Sequence, residues 1–279
     1  MNLVKKAYCR CFQMALRIAL PFLPYRNPEI LNHMEDIPYI LKKNHIKKPL
    51  VITDSNLSKL GATERLQQIL KSRKVAFAFY DKAFSNPTTD LAKEAAEYYR
   101  EQNCDGLIAY GGGSPMDLAK AVGVCVVRPK KSLKKMAGIL KVHHRLPLFI
   151  AIPTTAGTGS ETTLAAVLVD TETRHKFAIN DFPLIPGYAV LDPETIHTLP
   201  VEIAATTGLD ALTHAIEAYI GRSTTRQTRK DAKKAVSLIF ENFDRAVRHE
   251  DKKAETYMLR ASYYAGRAFT RSYVGYIHA

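Results

Sequence analysis

The chain has little of what would set it apart from ordinary globular proteins. Among its 279 residues are four cysteines, Cys9, Cys11, Cys104 and Cys125. None forms a Cys-x-x-Cys pair and no histidines cluster beside them, so neither a disulfide framework nor a thiolate metal site is expected. Free, partly buried thiols suit a reducing cytoplasm. No apolar run reaches the length of a membrane span, so no membrane partner is expected. There is no internal repeat and no low-complexity segment. Lys5 and Lys6 precede an apolar stretch up to Leu23, but Arg10 and Arg17 interrupt it and no small-residue cleavage site follows, which argues against a cleaved signal. Tyr8, Phe12, Ala15, Leu16, Ala19 and Leu20 instead fall at helical spacing, predicting an amphipathic first helix ended by Pro21 and Pro24.

Acidic residues are absent between Asp117 and Glu161, while Lys120, Arg128, Lys130, Lys131, Lys134, Lys135, Lys141 and Arg145 fall there. A second basic run covers Arg222, Arg226, Arg229, Lys230, Lys233 and Lys234. Together they account for much of a formal net charge of +13. Such charge can attract polyanions. No aromatic interleaving or nucleic-acid motif accompanies it, so a solvated surface is the expectation and nucleic acid is not an expected partner.

What is present is an alternation of apolar runs and helical patterns. Strands are predicted at Leu50–Thr53, Val75–Tyr80, Leu107–Tyr110, Leu148–Ile152, Val167–Asp170, Lys176–Ile179 and Tyr188–Leu191. Helices fall between the early ones, at about 57–72, 91–103 and 115–127. This is the pattern of βαβ units and a mainly parallel sheet. Past Asp192-Pro193-Glu194 only helical periodicity remains, strongest at Leu209–Ile220, Thr228–Asp244 and Ala254–Phe269. The expected boundary near Pro200 divides the chain into an α/β domain, 1–199, and an all-helical one, 200–279.

Three stretches could carry chemistry. Gly111-Gly112-Gly113-Ser114-Pro115-Met116-Asp117-Leu118-Ala119-Lys120 follows a strand and opens a helix. Glycines let backbone N–H groups approach a ligand, and a helix start is positive, so the stretch could hold a pyrophosphate. It is neither Gly-x-Gly-x-x-Gly nor a P-loop, and on its own could be a tight turn. A second loop, Pro153-Thr154-Thr155-Ala156-Gly157-Thr158-Gly159-Ser160-Glu161, pairs small hydroxyl donors with glycines that open the backbone. Asp54, directly after its strand, could accept from a ribose hydroxyl or cap the next helix. In Asp210-Ala211-Leu212-Thr213-His214, carboxylate and imidazole share one helix face at i and i+4. They could hold one Zn²⁺ or Fe²⁺, or form a plain ion pair. Glu217 could compete or support from a second shell. His33, His45, His143, His144, His175, His197 and His249 lie in polar contexts without ligand spacing and read as surface.

In order, Gly111–Lys120, Pro153–Glu161 and Gly208-x-Asp210-Ala211-Leu212-Thr213-His214-Ala215-x-Glu217 resemble the iron-containing (group III, metal-dependent) alcohol dehydrogenases, from about Leu23 onward. The resemblance implies a Rossmann-like dinucleotide domain followed by an all-helical metal-binding domain. It implies a hydride-transferring oxidoreductase acting on small alcohols and aldehydes, homodimeric and cytoplasmic. Gly112, Gly113, Ser114 and Asp117 would then contact the cofactor, Asn86 would line the same cleft, Thr154, Thr155 and Thr158 would complete the pocket, and Lys176 would reach in from a neighbouring strand. Asp54 matches the position that favours NAD over NADP. Asp210, His214 and His278 would bind Fe²⁺ or Zn²⁺. The family pattern continues past the position of Ala279 with another histidine, then a fourth metal ligand and more of the helical domain. The resemblance therefore implies a truncated chain, with a non-catalytic nucleotide-binding remnant as the alternative. Asn32-His33-Met34-Glu35-Asp36 departs from the family, which usually carries glycines there.

Overall fold

A computed structural model describes residues 7–11, 14, 18, 19, 22–272, 277 and 278. The expected N-terminal helix lies largely outside these residues.

Strands β1 (Glu29–Leu31), β2 (Pro49–Asp54), β3 (Ala78–Ala83), β4 (Gly106–Gly111), β6 (Leu148–Pro153) and β9 (Tyr188–Val190) form one sheet in the order β1-β9-β6-β4-β2-β3. All of its pairs are parallel. A small second sheet orders β5 (Gly138–Ile139), β8 (Lys176–Asn180) and β7 (Ala165–Val169). The parallel sheet is buried on both faces, which is why its central strands read as unbroken apolar runs. Leu50, Ile52, Leu107, Ala109, Phe149 and Ala151 enter the core on one side. Val51, Ile108, Tyr110, Ile150 and Ile152 enter the core on the other.

Helices α1 (Ile37–Lys43), α2 (Ser55–Lys59), α3 (Glu64–Ser72), α4 (Thr89–Glu101) and α5 (Gly113–Val127) connect the strands. After β9 come α6 (Val201–Ile220), α7 (Arg226–Val247) and α8 (Lys252–Thr270), which pack on one another around a third core containing Ala211, Ala215, Ile239, Met258 and Leu259.

Three expectations shift. The helix over 57–72 is two helices, because Gly61 turns the chain at φ +71°. The strand expected at Val75–Tyr80 begins later, after Lys74 turns at φ +55°, and runs to Ala83. Strand β1 was not expected, since three residues hold no pattern; pairing with β9 creates it.

The topology marks one crevice. From β2 the chain moves outward to β3, then returns to place β4 on the other side of β2. The loops after β2 and β4 therefore leave in opposite directions. Such a switch point, at the carboxyl ends of parallel strands, is where open α/β sheets bind ligands.

Candidate functional site

Asp54, Gly111 and Pro153 end three adjacent strands, with Gly111 directly opposite Pro153. Strands lie about 4.8 Å apart, so the loops after them span roughly 10 Å. Asn86 sits in the loop after the edge strand β3, at φ +57°. The sheet thus gathers four of the expected cofactor segments along one edge.

Gly111 has φ +149°, and a Cβ there would lie 2.6 Å from the Pro115 ring, so only glycine fits. Gly112 is the N-cap of α5 and Gly113 its first residue. A Cβ on Gly112 would stop 3.6 Å from Thr155, and one on Gly113 3.3 Å from Thr158. The glycine turn and the threonine loop face each other, and their half-buried edges leave backbone donors at a helix start.

Asp54 does cap its helix: Oδ1 accepts from the backbone N–H groups of Asn56 and Leu57, both at 2.9 Å. Asp117 is engaged within the protein, accepting from the Ser160 hydroxyl at 3.1 Å and from Val167 N–H at 3.2 Å. Burial raises its pKa to about 6, against the pull of Lys120 and Lys176. The exposed Lys176 thus sits within electrostatic reach of the glycine-loop helix. Thr154 is buried, and the Thr158 hydroxyl accepts from Ser160 N–H at 3.3 Å.

Two members of this region escape a reading of sequence. Lys120, which belongs to the basic stretch read as solvated surface, is fully buried. Its ammonium donates to the Ser160 and Ala165 carbonyls and the Thr163 hydroxyl, each at 2.8 Å, and to the Ser160 hydroxyl at 3.1 Å. Burial lowers its pKa to about 8. Glu161 is also buried; burial raises its pKa to about 7, and its Oε1 has no hydrogen-bond partner among the described residues. The rest of the stretch fits the surface reading, with Lys130, Lys131, Lys134, Lys135 and Lys141 exposed.

Gly157 and Gly159 also serve a purpose other than the expected one. A Cβ on Gly157 would fall 2.6 Å from the Thr207 carbonyl oxygen on α6. Gly159, at φ +61°, would place one 2.6 Å from Cα of Gly266 on α8. These glycines let the threonine loop dock on the helices.

Beside that docking point the structure brings Asp210, His214 and His278 together, their donor atoms within 4.8 Å of one another. His278 Nε2 lies 3.3 Å from Asp210 Oδ1, and His214 Nδ1 lies 3.9 Å from Asp210 Oδ2. The two imidazoles stack at 4.3 Å. His214 Nδ1 is buried with no hydrogen-bond partner among the described residues. Burial lowers its pKa, favouring the neutral ring that a metal needs. Gly157, packed against Thr207 on the helix that carries Asp210 and His214, also acts through its backbone on the His214 ring, so the threonine loop adjoins this cluster. Glu217 takes the supporting role: Oε2 accepts from His278 Nδ1 at 2.6 Å and Oε1 from Ile277 N–H at 2.8 Å. Nε2 of His278 is thereby turned toward Asp210.

The reading of every other histidine as surface is corrected at two positions. His197 and His249 converge on the buried carboxylate of Glu255, at 3.0 and 2.7 Å. The residues of the departing segment 32–36 form a short turn in which Met34 N–H donates to Asp192 at 3.1 Å.

Comparison with known proteins agrees with this geometry. Residues 31–193 match the family model for iron-containing alcohol dehydrogenase, and residues 204–279 that for the C-terminal part of the Fe-containing alcohol dehydrogenase family. Alcohol dehydrogenase 4 of Saccharomyces cerevisiae is 38% identical over 248 residues, covering 88% of this chain and 64% of the yeast protein. The NAD-dependent methanol dehydrogenase of Bacillus methanolicus is 35% identical over 240 residues, covering 86% and 63%. The solved alcohol dehydrogenase from Oenococcus oeni superposes with a TM-score of 0.86 at 32% identity, covering 91% of this chain and 67% of that one. The chain spans less than two thirds of the length of these two curated relatives.

Proposed function

The chain belongs to the iron-containing alcohol dehydrogenase family, and on that premise we propose that it exchanges hydride between a small alcohol and a nicotinamide dinucleotide. One observation carries the reading. The threonine loop forms a wall of the strand-end crevice, and through Gly157 it packs against Thr207 on α6, the helix that carries Asp210 and His214. A dinucleotide in the crevice would therefore lie next to the metal donors.

The cluster fits a divalent cation. It combines one carboxylate with two imidazoles, has a buried nitrogen without a partner, and keeps a carboxylate behind one ligand. Such an ion, Fe²⁺ or Zn²⁺, supplies Lewis acidity that lowers the pKa of an alcohol hydroxyl. The protein's own contribution is placement. Gly112, Gly113 and Ser114 present helix-start N–H groups to the pyrophosphate. Thr154, Thr155 and Thr158 line the facing wall, with Asn86 and Lys176 at its margin. Asp117 acts through Ser160 and Val167, fixing α5 against the threonine loop, and can reach the cofactor only with its remaining acceptor capacity. Asp54 uses Oδ1 as a cap and keeps Oδ2 for a ribose hydroxyl, where its charge disfavours a 2′-phosphate. NAD is therefore the proposed cofactor. The substrate is a small alcohol or aldehyde, the assembly a homodimer as in the family, and free Cys104 and Cys125 suit a cytoplasmic setting.

The test is absorbance of reduced nicotinamide when the metal-loaded protein meets short primary alcohols and NAD. Turnover lost in His214→Ala, with NAD binding retained, supports the reading. NAD binding without metal uptake or turnover would favour a binding-only protein. Asp54→Gly should improve use of NADP; an unchanged preference would remove Asp54 from the selection of cofactor.

A further inference from the structure

Glu255 is the first-turn acid of α8, and its side chain is fully buried. A buried carboxylate normally meets a lysine or arginine. Among the described residues this one meets neither. Its oxygens face two imidazole nitrogens: Nδ1 of His197 at 3.0 and 3.2 Å, and Nδ1 of His249 at 2.7 Å. Three separate segments supply the trio. His197 lies in the connection between β9 and α6, His249 follows the end of α7, and Glu255 opens α8.

The arrangement has the parts of a metal centre. The three donor atoms lie within 4.8 Å of one another. Ligands around a tetrahedral zinc ion, with bonds of about 2.1 Å, sit about 3.4 Å apart, so the two histidine–carboxylate contacts would open by about 0.4 and 0.7 Å to admit one. His249 Nε2 donates to the Leu199 carbonyl at 2.7 Å. That bond orients the ring with Nδ1 inward, as the outer hydrogen bond of a metal-bound histidine does. Against the cost of burial, the hydrogen bonds to Glu255 and Leu199 raise the ring's pKa, so an entering cation takes the place of the Nδ1 proton. His197 has 37% of its side chain exposed, which gives an ion a way in and a solvent-side position for water. A similar grouping, His33, Glu35 and Asp192, lacks this character because Arg65 already neutralises both of its carboxylates.

We infer that His197, His249 and Glu255 form a second divalent-cation site, separate from Asp210, His214 and His278, that takes zinc-like ions through two nitrogens and one carboxylate. The site ties the segment joining the sheet to the helices onto the turn between α7 and α8. A neighbouring ion pair, Lys252 with Glu194 at 2.5 Å, spans the same gap.

The test counts Zn²⁺ on chelator-stripped protein by mass spectrometry after desalting, alongside a Zn²⁺ titration of thermal unfolding. Neither readout needs NAD or alcohol, so failure here is separable from failure of the dehydrogenase reading. His197→Ala, at a partly exposed position, and Glu255→Gln, which keeps shape, should each remove one equivalent or weaken its binding at least tenfold. Circular dichroism establishes that the variants are folded. The equivalent should survive His214→Ala, and Zn²⁺ should raise the melting temperature of that variant but not of one that carries His197→Ala together with His214→Ala. Retention of the parent stoichiometry and affinity in both His197→Ala and Glu255→Gln would overturn the site and leave the trio a hydrogen-bonded clamp.

Discussion

Glu217 shows how one residue can set the behaviour of a site without entering it. Its two oxygens hold the Ile277 N–H and the His278 ring. Glu217→Gln removes the charge behind that ring and should weaken metal binding about 10- to 100-fold with little loss of fold stability, measured by competition with a chelator. Glu161 makes a pH prediction. Its folded pKa of about 7 lies above the ordinary 4.5, so the folded protein retains a proton that the unfolded chain releases in that window. Stability from this group is therefore present at low pH and is lost as pH rises toward 7. Glu161→Gln should leave stability at pH 4 nearly unchanged and raise it at pH 8 by on the order of 3 kcal/mol. Urea midpoints at the two pH values check this, and an equal gain at both would refute it. Asp117 is shifted the same way, so some slope will persist in the variant. The sequence announced neither Glu161 nor Lys120 as buried, because a charged residue on a helix or loop ordinarily lies in water. Only the fold shows that Lys120 finds four oxygens inside.

Among the elements, the two glycine loops look alike in sequence and differ in what their glycines do. Gly112 has an ordinary backbone and room for a Cβ in normal contact with Thr155, whereas Gly159 lies in the left-handed region against the backbone of Gly266. Gly112→Ala should keep the melting temperature while weakening NAD binding about tenfold, since the new methyl group occupies the cradle. Gly159→Ala has neither the space nor the φ for a side chain, and should cost about 3 kcal/mol by thermal unfolding. The sheet, the strand-end loops and the helical second half were legible because apolar runs, glycine and threonine signal themselves locally. So were Asp210 and His214, four residues apart on one helix. The pairing of His197 and His249 with Glu255 was not, because tertiary packing alone brings such distant positions together. The role of Gly157 and Gly159 was hidden for the same reason: their neighbours, Thr207 and Gly266, lie far along the chain.

At the scale of the whole molecule, α6 leaves an apolar stripe uncovered. Leu209, Ile216 and Ile220 recur at helical spacing, with 51%, 45% and 70% of their surface exposed. A contiguous apolar face on a folded protein favours association. Ile216→Glu combined with Ile220→Glu should shift sedimentation toward the monomer at high concentration without lowering the melting temperature. The basic surface bears on ligand capture: with a net charge of +13, binding of an anionic dinucleotide should slow as salt is raised. The contact between Gly159 and Gly266 has a mechanical consequence as well. Two backbones pressed together without side chains have no rotamers to repack, so the joint between the threonine loop and α8 has little freedom to slide. Any breathing of the crevice should then pivot on its opposite wall, at the turns after Asp54 and Gly111, while the threonine loop and α8 travel as one body.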